Sequence, residues 1–439
     1  MNQGWIALTQ VGAKIGLLHH VGGGNLGDDA TLDAVAGNIR RRWRNAEVIA
    51  FSMNPKDTET RHGMASHPIR RKGWSIGYAP APAEAKGTVK EAVKGLARKY
   101  RRVFYLLQAT NAVIRLPSEM FRELLFLASS RHNIKSFDLL VICGGGQLTE
   151  KDGPWGFPYT IFKWVVLAKT AGVRCIFLNL GAGPLTHPLS KFFVTRSLRA
   201  ADYVSFRDGK SLALVQKIGF TGESRVFPDS VYRLEAATTH ERTPGKCARP
   251  TVGFAPMPYP GPRQNLSEND RIVYHEFIGR LASFSSWLVS QSYKLSFFGT
   301  DIGVDPAAID DLEIALLNQH HIASSKYAVN NSIKSAHALF EIMSRMDYVV
   351  TCRFHGVVFA HLLNKPVLAI AHHPKVKDLM TDLELSSYCV DIRKIDLKLL
   401  ADRFASMVGN AEEIKSRMAA SLARNRSRLK RQFDELFSY

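Results

Sequence analysis

Three times in the first half of the chain an apolar run ends in glycines and gives way to a helical pattern. Ile15-Gly-Leu-Leu-His-His-Val leads into Gly22-Gly-Gly-Asn-Leu-Gly-Asp-Asp, Phe137-Asp-Leu-Leu-Val-Ile-Cys into Gly144-Gly-Gly, and Arg174-Cys-Ile-Phe-Leu-Asn-Leu into Gly181-Ala-Gly-Pro. Near-continuous apolar runs of this length are strands covered on both faces, which predicts an open parallel sheet with its loops gathered at one edge. Tyr203-Val-Ser-Phe-Arg-Asp and Arg225-Val-Phe-Pro-Asp229 continue the series. From Val231 to Pro250 the pattern lapses into Ala, Thr, Pro, Gly and charged residues, as a domain junction does. It then restarts, with strands expected at Thr251-Val-Gly-Phe-Ala-Pro, Tyr293-Lys-Leu-Ser-Phe-Phe-Gly-Thr, Tyr348-Val-Val-Thr-Cys and Pro366-Val-Leu-Ala-Ile-Ala. Helical stretches near Ile272 to Gln291, Ile333 to Ser344 and Gly356 to Leu363 separate them. The expected architecture is α/β, with two doubly wound, Rossmann-like domains facing across a cleft, over about 1–235 and 250–439.

A long interruption of the first domain, at about 55–136, begins basic and rich in Ala, Pro and Gly. It continues with Val103-Phe-Tyr-Leu-Leu and Met120-Phe-Arg-Glu-Leu-Leu-Phe-Leu-Ala. Packed helices covering the sheet are the first reading, and an interfacial helix pair docked on a membrane is the second.

With 439 residues, 46% of them hydrophobic, the chain exceeds one ordinary core and suits two. No apolar run reaches eighteen residues, and the stretch from Ile15 to Val21 lacks a basic leader and a small-residue cleavage site. Neither a spanning helix nor a secretory signal is indicated, so a cytoplasmic protein is expected, with contact at the inner face of the membrane as a further option. Cys143, Cys175, Cys247, Cys352 and Cys389 show no paired spacing and read as free thiols. The net charge of +19 calls for an acidic partner: nucleic acid, anionic lipid, or a phosphorylated or carboxylated substrate. No helix-turn-helix, zinc-finger or aromatic RNA-reading motif supports nucleic acid. Much of the excess charge lies between Arg61 and Arg131 and in the tail Lys415 to Arg431, whose apolar residues recur at helical intervals and predict a basic surface helix closing the second domain.

Candidate chemistry centres on Asp347-Tyr-Val-Val-Thr-Cys-Arg-Phe-His-Gly356. A buried strand ends by presenting Arg353 and His355, and two residues apart on an extended chain both would face one anionic ligand. Gly22-Gly-Gly-Asn-Leu-Gly-Asp-Asp resembles a phosphate-cradling loop, yet its aspartates oppose a phosphate, and neither a dinucleotide fingerprint nor a Walker ending is present. Asp28 or Asp29 serves there either as a helix cap or as the acceptor of a substrate hydroxyl proton. Arg207, after its strand, offers a fork for carboxylate or phosphate, while Asp208 and Ser211 suit a helix start. Lys375, after His372 and His373, adds a point charge. Adjacent histidines diverge and no H-E-x-x-H pattern exists, so no essential metal is expected.

Taken together these motifs resemble the polysaccharide pyruvyl transferase family. The likeness rests on Gly24-Asn25-x-Gly27-Asp28, Gly144-Gly145-Gly146, Gly181-x-Gly-Pro184, Arg207-Asp208 with Ser211, Pro228-Asp229, and Arg353-Phe354-His355 with Lys375 downstream. Phe354 stands where that pattern often holds leucine. The 55–136 interruption and the basic tail are not obviously part of the pattern. The resemblance implies a GT-B-like fold, phosphoenolpyruvate as donor substrate with no cofactor, and transfer of pyruvate as a ketal onto two hydroxyls of a sugar, in a polysaccharide or its lipid-linked precursor. It casts His355, Asp28 and Arg353 as catalytic, His355 assisting the departing phosphate or protonating the enol carbon and Asp28 accepting a hydroxyl proton. Arg207, Arg353, Phe354, His355, Lys375, Gly24, Asn25, Gly144 and Gly145 would hold substrate. The competing readings are a nucleotide-sugar glycosyltransferase of the same layout and a non-catalytic protein that binds anionic glycan or membrane.

Overall fold

A computed structural model describes residues 12–71, 101–150, 152–234, 249–261 and 266–437, with side chains of the helix over 101–134 described from 117 onward. The first sheet is formed by β1 (Lys14–Leu18), β2 (Glu47–Ser52), β3 (Ser66–Pro68), β4 (Leu139–Cys143), β5 (Arg174–Leu180), β6 (Tyr203–Phe206) and β7 (Arg225–Val226). Its strands run parallel in the order β3-β2-β1-β4-β5-β6-β7. The second contains β8 (Thr251–Ala255), β9 (Lys294–Phe298), β10 (Tyr327–Asn330), β11 (Tyr348–Thr351), β12 (Val367–Ala371) and β13 (Cys389–Asp391). They too are parallel, in the order β10-β9-β8-β11-β12-β13.

Each sheet reverses its winding once, between β1 and β4 and between β8 and β11. Successive connections leave in opposite directions there, and a crevice opens beyond the carboxyl ends of the strands. The two crevices face each other. Leu26 N–H donates to Thr300 O (2.9 Å) and Ile302 N–H to Gly24 O (2.9 Å), so the loop after β1 and the loop after β9 form an antiparallel bridge at Asn25 and Asp301.

Helix α1 (Leu26–Arg42) follows β1, and α2 (Pro55–His62) follows β2. Within 55–136, α2 and β3 extend the first sheet at its edge, and one long helix, α3 (Arg101–Ile134), continues through Pro117. The two apolar stretches, Val103–Leu107 and Met120–Ala128, thus lie in one helix where a helix pair was considered. Helix α3 lies beside α4 (Phe157–Thr170), which packs in turn against α5 (Pro188–Ala200). Trp164 of α4 meets Phe51 edge-on (4.7 Å between centroids) and donates Nε1–H to Ile69 O (2.9 Å), which seats these helices on one face of the sheet. After β6 comes α6 (Gly209–Lys217), and the second domain adds α7 (Glu268–Ser290), α8 (Pro306–His320), α9 (Ala336–Ser344), α10 (Phe354–Leu362), α11 (Pro374–Asp382) and α12 (Leu397–Gly409).

The basic tail is α13 (Ala411–Phe437), and its inner face returns to the first sheet. Gln432 is fully buried and bonds Asn179, Tyr203 and Ser205, while Arg42 grips Asp434 and Arg225 pairs with Glu435. The expected surface helix is therefore exposed on one side only. Cys143, Cys175 and Cys352 are buried free thiols and Cys389 is half-buried and free; Cys247 lies outside the described residues. Among the described residues no helix is long and apolar enough to cross a membrane.

Candidate functional site

The chain after β11 departs from the expected extended geometry. Arg353 has extended backbone (φ −106°, ψ 144°) but is the N-cap of α10, so His355 already lies in the first helical turn. The turn places the two side chains on different partners. Arg353 directs Nε and Nη2 onto Oδ1 of the fully buried Asp305, whose Oδ2 accepts from Thr300 N–H (3.0 Å) and Asp301 N–H (2.9 Å). His355 turns instead to α1 of the other domain. A Cβ on Gly27 would fall 1.9 Å from its Cγ, so only glycine admits the ring there.

At the start of α1 neither aspartate is the cap. Asn25 Oδ1 accepts from Gly27 N–H (3.0 Å) and fills that role, while Gly24 (φ +87°) lies against Ile302. Both belong to the junction between the loops of the two sheets. Asp29 points inward and is clamped by Arg61 and His62. Against its burial, the carboxylates of Asp29 and Asp33 raise His62 to about 9. Asp28 faces the crevice and sits 2.8 Å from Nε2 of His20. Burial alone would raise its pKa, but the charge and hydrogen bond of His20, with His355 and His19 beyond, outweigh burial and hold it well below the usual carboxylate range.

His19 and His20 stack in parallel at 4.8 Å, 11° between planes. Burial, reinforced by His20, pushes His19 down to about 3. Both His19 ring nitrogens, Nδ1 of His20 and Nε2 of His355 are buried without a hydrogen-bond partner among the described residues. His19, His20 and Asp28 bring ligand-type atoms within 4.8 Å of one another, close enough for a metal ion. Stacked rings direct their in-plane lone pairs side by side rather than toward one point, and the 2.8 Å contact is a hydrogen-bond distance; the cluster suits proton handling better than coordination.

The floor of the site is the loop after β4. Gly144 (φ +62°) and Gly145 (φ +64°) are left-handed, and a Cβ on Gly145 would strike His20 Cε1 at 2.4 Å. A Cβ on Gly146 would stand 3.2 Å from Nζ of Lys375, which reaches this loop from the N-terminus of α11.

Arg207, after β6, is buried against Gly181, bonds Asp229 through Nη1 (3.2 Å) and brings Nε within 3.5 Å of Asp208 Oδ2, an ion pair without a hydrogen bond. Its guanidinium lies 4.5 Å over the ring of Phe354, so the aromatic residue of the Arg-Phe-His motif positions an arginine of the other domain. Asp208 caps α6 through Ser211 N–H, the structural role expected of it. Burial, then the charge of Arg207, lowers Lys375 to about 8. Burial likewise lowers His355, with Asp28 and Asp229 opposing and Arg207 and His20 assisting. His372 donates Nδ1–H to Cys352 O (2.9 Å), and His373 accepts from Lys375 N–H (3.2 Å); both are structural.

Arg207, His355, Lys375 and Asp28 thus share one crevice with the Gly144–Gly145 loop, and Arg353 stands at its side on Asp305. The sequence reading missed His19, His20 and Asp305, and named Asp229 only as part of the Pro228-Asp229 motif, without a role. For the histidines the signal was present: His19-His20 ends an apolar strand just before a glycine loop, the same pattern that singled out Arg353 and His355.

The model of one protein family, described as polysaccharide pyruvyl transferase, matches residues 25–374, which include all of these groups except Lys375, His19 and His20. The chain belongs to the polysaccharide pyruvyl transferase family. It is accordingly a transferase. No curated protein matches it by sequence. Among solved structures it is similar to a glycosyltransferase from Rickettsia africae, at 9% identity over 97% of this chain and 98% of that one with a TM-score of 0.55. A putative UDP-N-acetylglucosamine 2-epimerase from Listeria monocytogenes shares 11% identity over 97% and 98%, with a TM-score of 0.52. UDP-GlcNAc 2-epimerase from Methanocaldococcus jannaschii shares 9% over 90% and 92%, with a TM-score of 0.51. At such identities the likeness concerns the fold, which is GT-B-like in this pyruvyl transferase family member.

Proposed function

We propose that this transferase moves pyruvate from phosphoenolpyruvate onto two hydroxyls of a sugar, forming a cyclic ketal in a polysaccharide or its lipid-linked precursor. The observation that carries the reading is the crowding of Arg207 and Lys375 beside His355 in a buried crevice, with His355 Nε2 free of any hydrogen bond among the described residues. Cations held together away from water repel one another, and a small polyanion relieves that repulsion. The N-termini of α10 and α11 add their dipoles to the same place.

The balance of the reaction assigns the remaining groups. The enol carbon takes a proton and becomes a methyl group, one sugar hydroxyl adds to the central carbon, the carbon–oxygen bond to phosphate breaks, and the second hydroxyl closes the ketal. Of the two hydroxyl protons, one replaces the proton delivered to carbon and the other leaves with phosphate. The steps are proton transfers and exchanges at carbon bonded to oxygen, so the scheme needs no cofactor. His355 supplies the proton to the enol carbon or the departing phosphate. It is neutral when the crevice is empty, because burial disfavours its charge, and the arriving anion restores that charge.

Asp28 is too weak a base to accept a hydroxyl proton efficiently, since its pKa is far below neutrality. In this scheme it orients His20, whose free Nδ1 takes the proton, and stabilises the imidazolium that forms. Arg353 acts through its clamp on Asp305, which fixes the turn at Thr300 and Asp301, and its part-exposed fork borders the donor. Phosphoenolpyruvate as donor places the reaction in the cytoplasm.

The test is to incubate the protein with phosphoenolpyruvate and candidate glycans, following phosphate release together with the new ketal methyl by NMR. Both should depend on the glycan and be lost in Arg207→Gln. Phosphate released without a ketal would remove the transfer from the account.

A further inference from the structure

The helical face over the first sheet carries apolar residues that the fold does not cover. In α3, Glu123, Ser130 and Ile134 are buried, whereas Met120, Phe121, Leu124 and Leu125 are 55, 61, 61 and 55% exposed. At helical spacing those four form one stripe on the side turned away from the sheet. A second stripe runs along α5, where Leu189 and Phe192 are exposed and are followed, at the same spacing, by Arg196 and Arg199. Between α4 and α5 lies a groove of about 530 Å³ walled by Phe162, Val166, Phe192, Arg196 and Arg199. Arg131 of α3 joins the two regions by donating to Thr170 O (3.0 Å) at the end of that groove.

The arginines of this face are available, while Lys169 in the groove wall is paired with Asp202. Arg131 and Arg199 bond backbone carbonyls and Arg196 lies 5.5 Å over the ring of Phe192; none of the three has a carboxylate partner among the described residues. Among the described residues Arg122 approaches only Glu119, which Arg71 already holds.

We propose that this face docks on an anionic lipid bilayer, with the apolar stripes in the headgroup–acyl boundary and the arginines on lipid phosphates. Charge complementarity selects this occupant. A second copy of the chain would bring the same arginines against one another across a two-fold axis, on a protein already at +19. The inference stands apart from the identity of the donor, and it gives α4 a connecting role. That helix runs from the groove to Phe157, whose ring meets His20 edge-on at 5.6 Å, so a glycan held at the membrane would reach the crevice along it.

The test is flotation of the full-length protein with vesicles of phosphatidylcholine alone or with one third phosphatidylglycerol, at low and high salt. The protein should float with the anionic vesicles, and partitioning should fall about tenfold or more on neutral vesicles, at high salt, and in Phe121→Glu/Leu124→Glu or Arg196→Glu/Arg199→Glu. The substituted positions are exposed, and the melting temperature should not move. Wild-type protein remaining unbound to anionic vesicles would overturn the proposal, as would binding that both double variants retain. Conversion of a dimer to a monomer by Phe121→Glu/Leu124→Glu, read by light scattering, would give the face to a second copy instead.

Discussion

Gly27 and His355 come from different domains and meet so closely that a Cβ on Gly27 would stand 1.9 Å from Cγ of His355 and 2.0 Å from its Nδ1. Replacing a helical glycine by alanine ordinarily stabilises a protein by up to about 1 kcal/mol. Here the added methyl must displace the imidazole or part the domains. Gly27→Ala should lower stability by roughly 1–3 kcal/mol, as overpacking does, and weaken donor binding by an order of magnitude. Thermal melting and calorimetric titration with phosphoenolpyruvate check both; a stabilised variant with unchanged affinity would show that His355 is free to move.

The contact of His20 with Asp28 predicts a kinetic signature. Asp28→Asn keeps the shape but removes the charge that orients and stabilises the imidazole, and kcat should fall by about 10²–10⁴ while donor affinity changes only a few-fold. His20→Gln should cost a similar factor, and the double variant little more than either. Full additivity in log kcat would mean that the two residues act separately.

Lys375 gives the pH dependence of donor binding a definite sign. Its pKa is lowered to about 8, so the ammonium that attracts the anion is present below that pH and lost above it. Affinity should fall only shallowly near neutral pH, where His355 takes up its proton, and decline by up to about a further tenfold per pH unit on the alkaline side of 8. Lys375→Arg should move the decline out of the accessible range. Near neutral pH, binding should also take up protons, because the anion restores the charge that burial denies His355. Titrations in buffers of different ionisation enthalpy measure that uptake; proton release on binding would contradict it.

Arg353 tests the distinction between fork and point charge. Arg353→Lys loses the two-nitrogen grip on Asp305 and leaves a fully buried carboxylate with the backbone N–H groups of Thr300 and Asp301 as its remaining donors. Removing one member of a buried pair costs about 3–5 kcal/mol. Urea unfolding should show a loss of that order in Arg353→Ala and a smaller one in Arg353→Lys, with activity lost in both. A stable and active Arg353→Lys would reduce the clamp to simple charge.

The two parallel sheets were legible because their central strands, β1, β4, β5, β8, β11 and β12, are apolar on both faces, and the crevice because glycines and charged groups recur at strand ends. The pairing of the charged groups was not. Periodicity reports which residues are buried, not which partner lies across a cleft, so the union of Arg353 with Asp305, 48 positions apart, left no local trace. The same blindness hid Asp229 beneath Arg207 and the return of α13 through Gln432 to Asn179. Arg353 and His355 were misjudged for a different reason. The strand ends at Thr351 and the helix begins at Phe354, so side-chain alternation was carried a few residues too far. Helix α8 and strands β2, β3, β10 and β13 were among the elements not anticipated; β3 and β10 are short of apolar residues, and α8 holds them at mixed spacing.

Binding of phosphoenolpyruvate to the purified protein, followed by calorimetry beside UDP and GDP sugars and repeated on Arg207→Gln and Lys375→Gln, tests the central claim most directly. The account predicts saturable binding of phosphoenolpyruvate near neutral pH, weakened at least about tenfold in each variant, and no comparable binding of the nucleotide sugars. A nucleotide sugar bound in the same crevice, with phosphoenolpyruvate ignored, would contradict it and assign the site to glycosyl transfer.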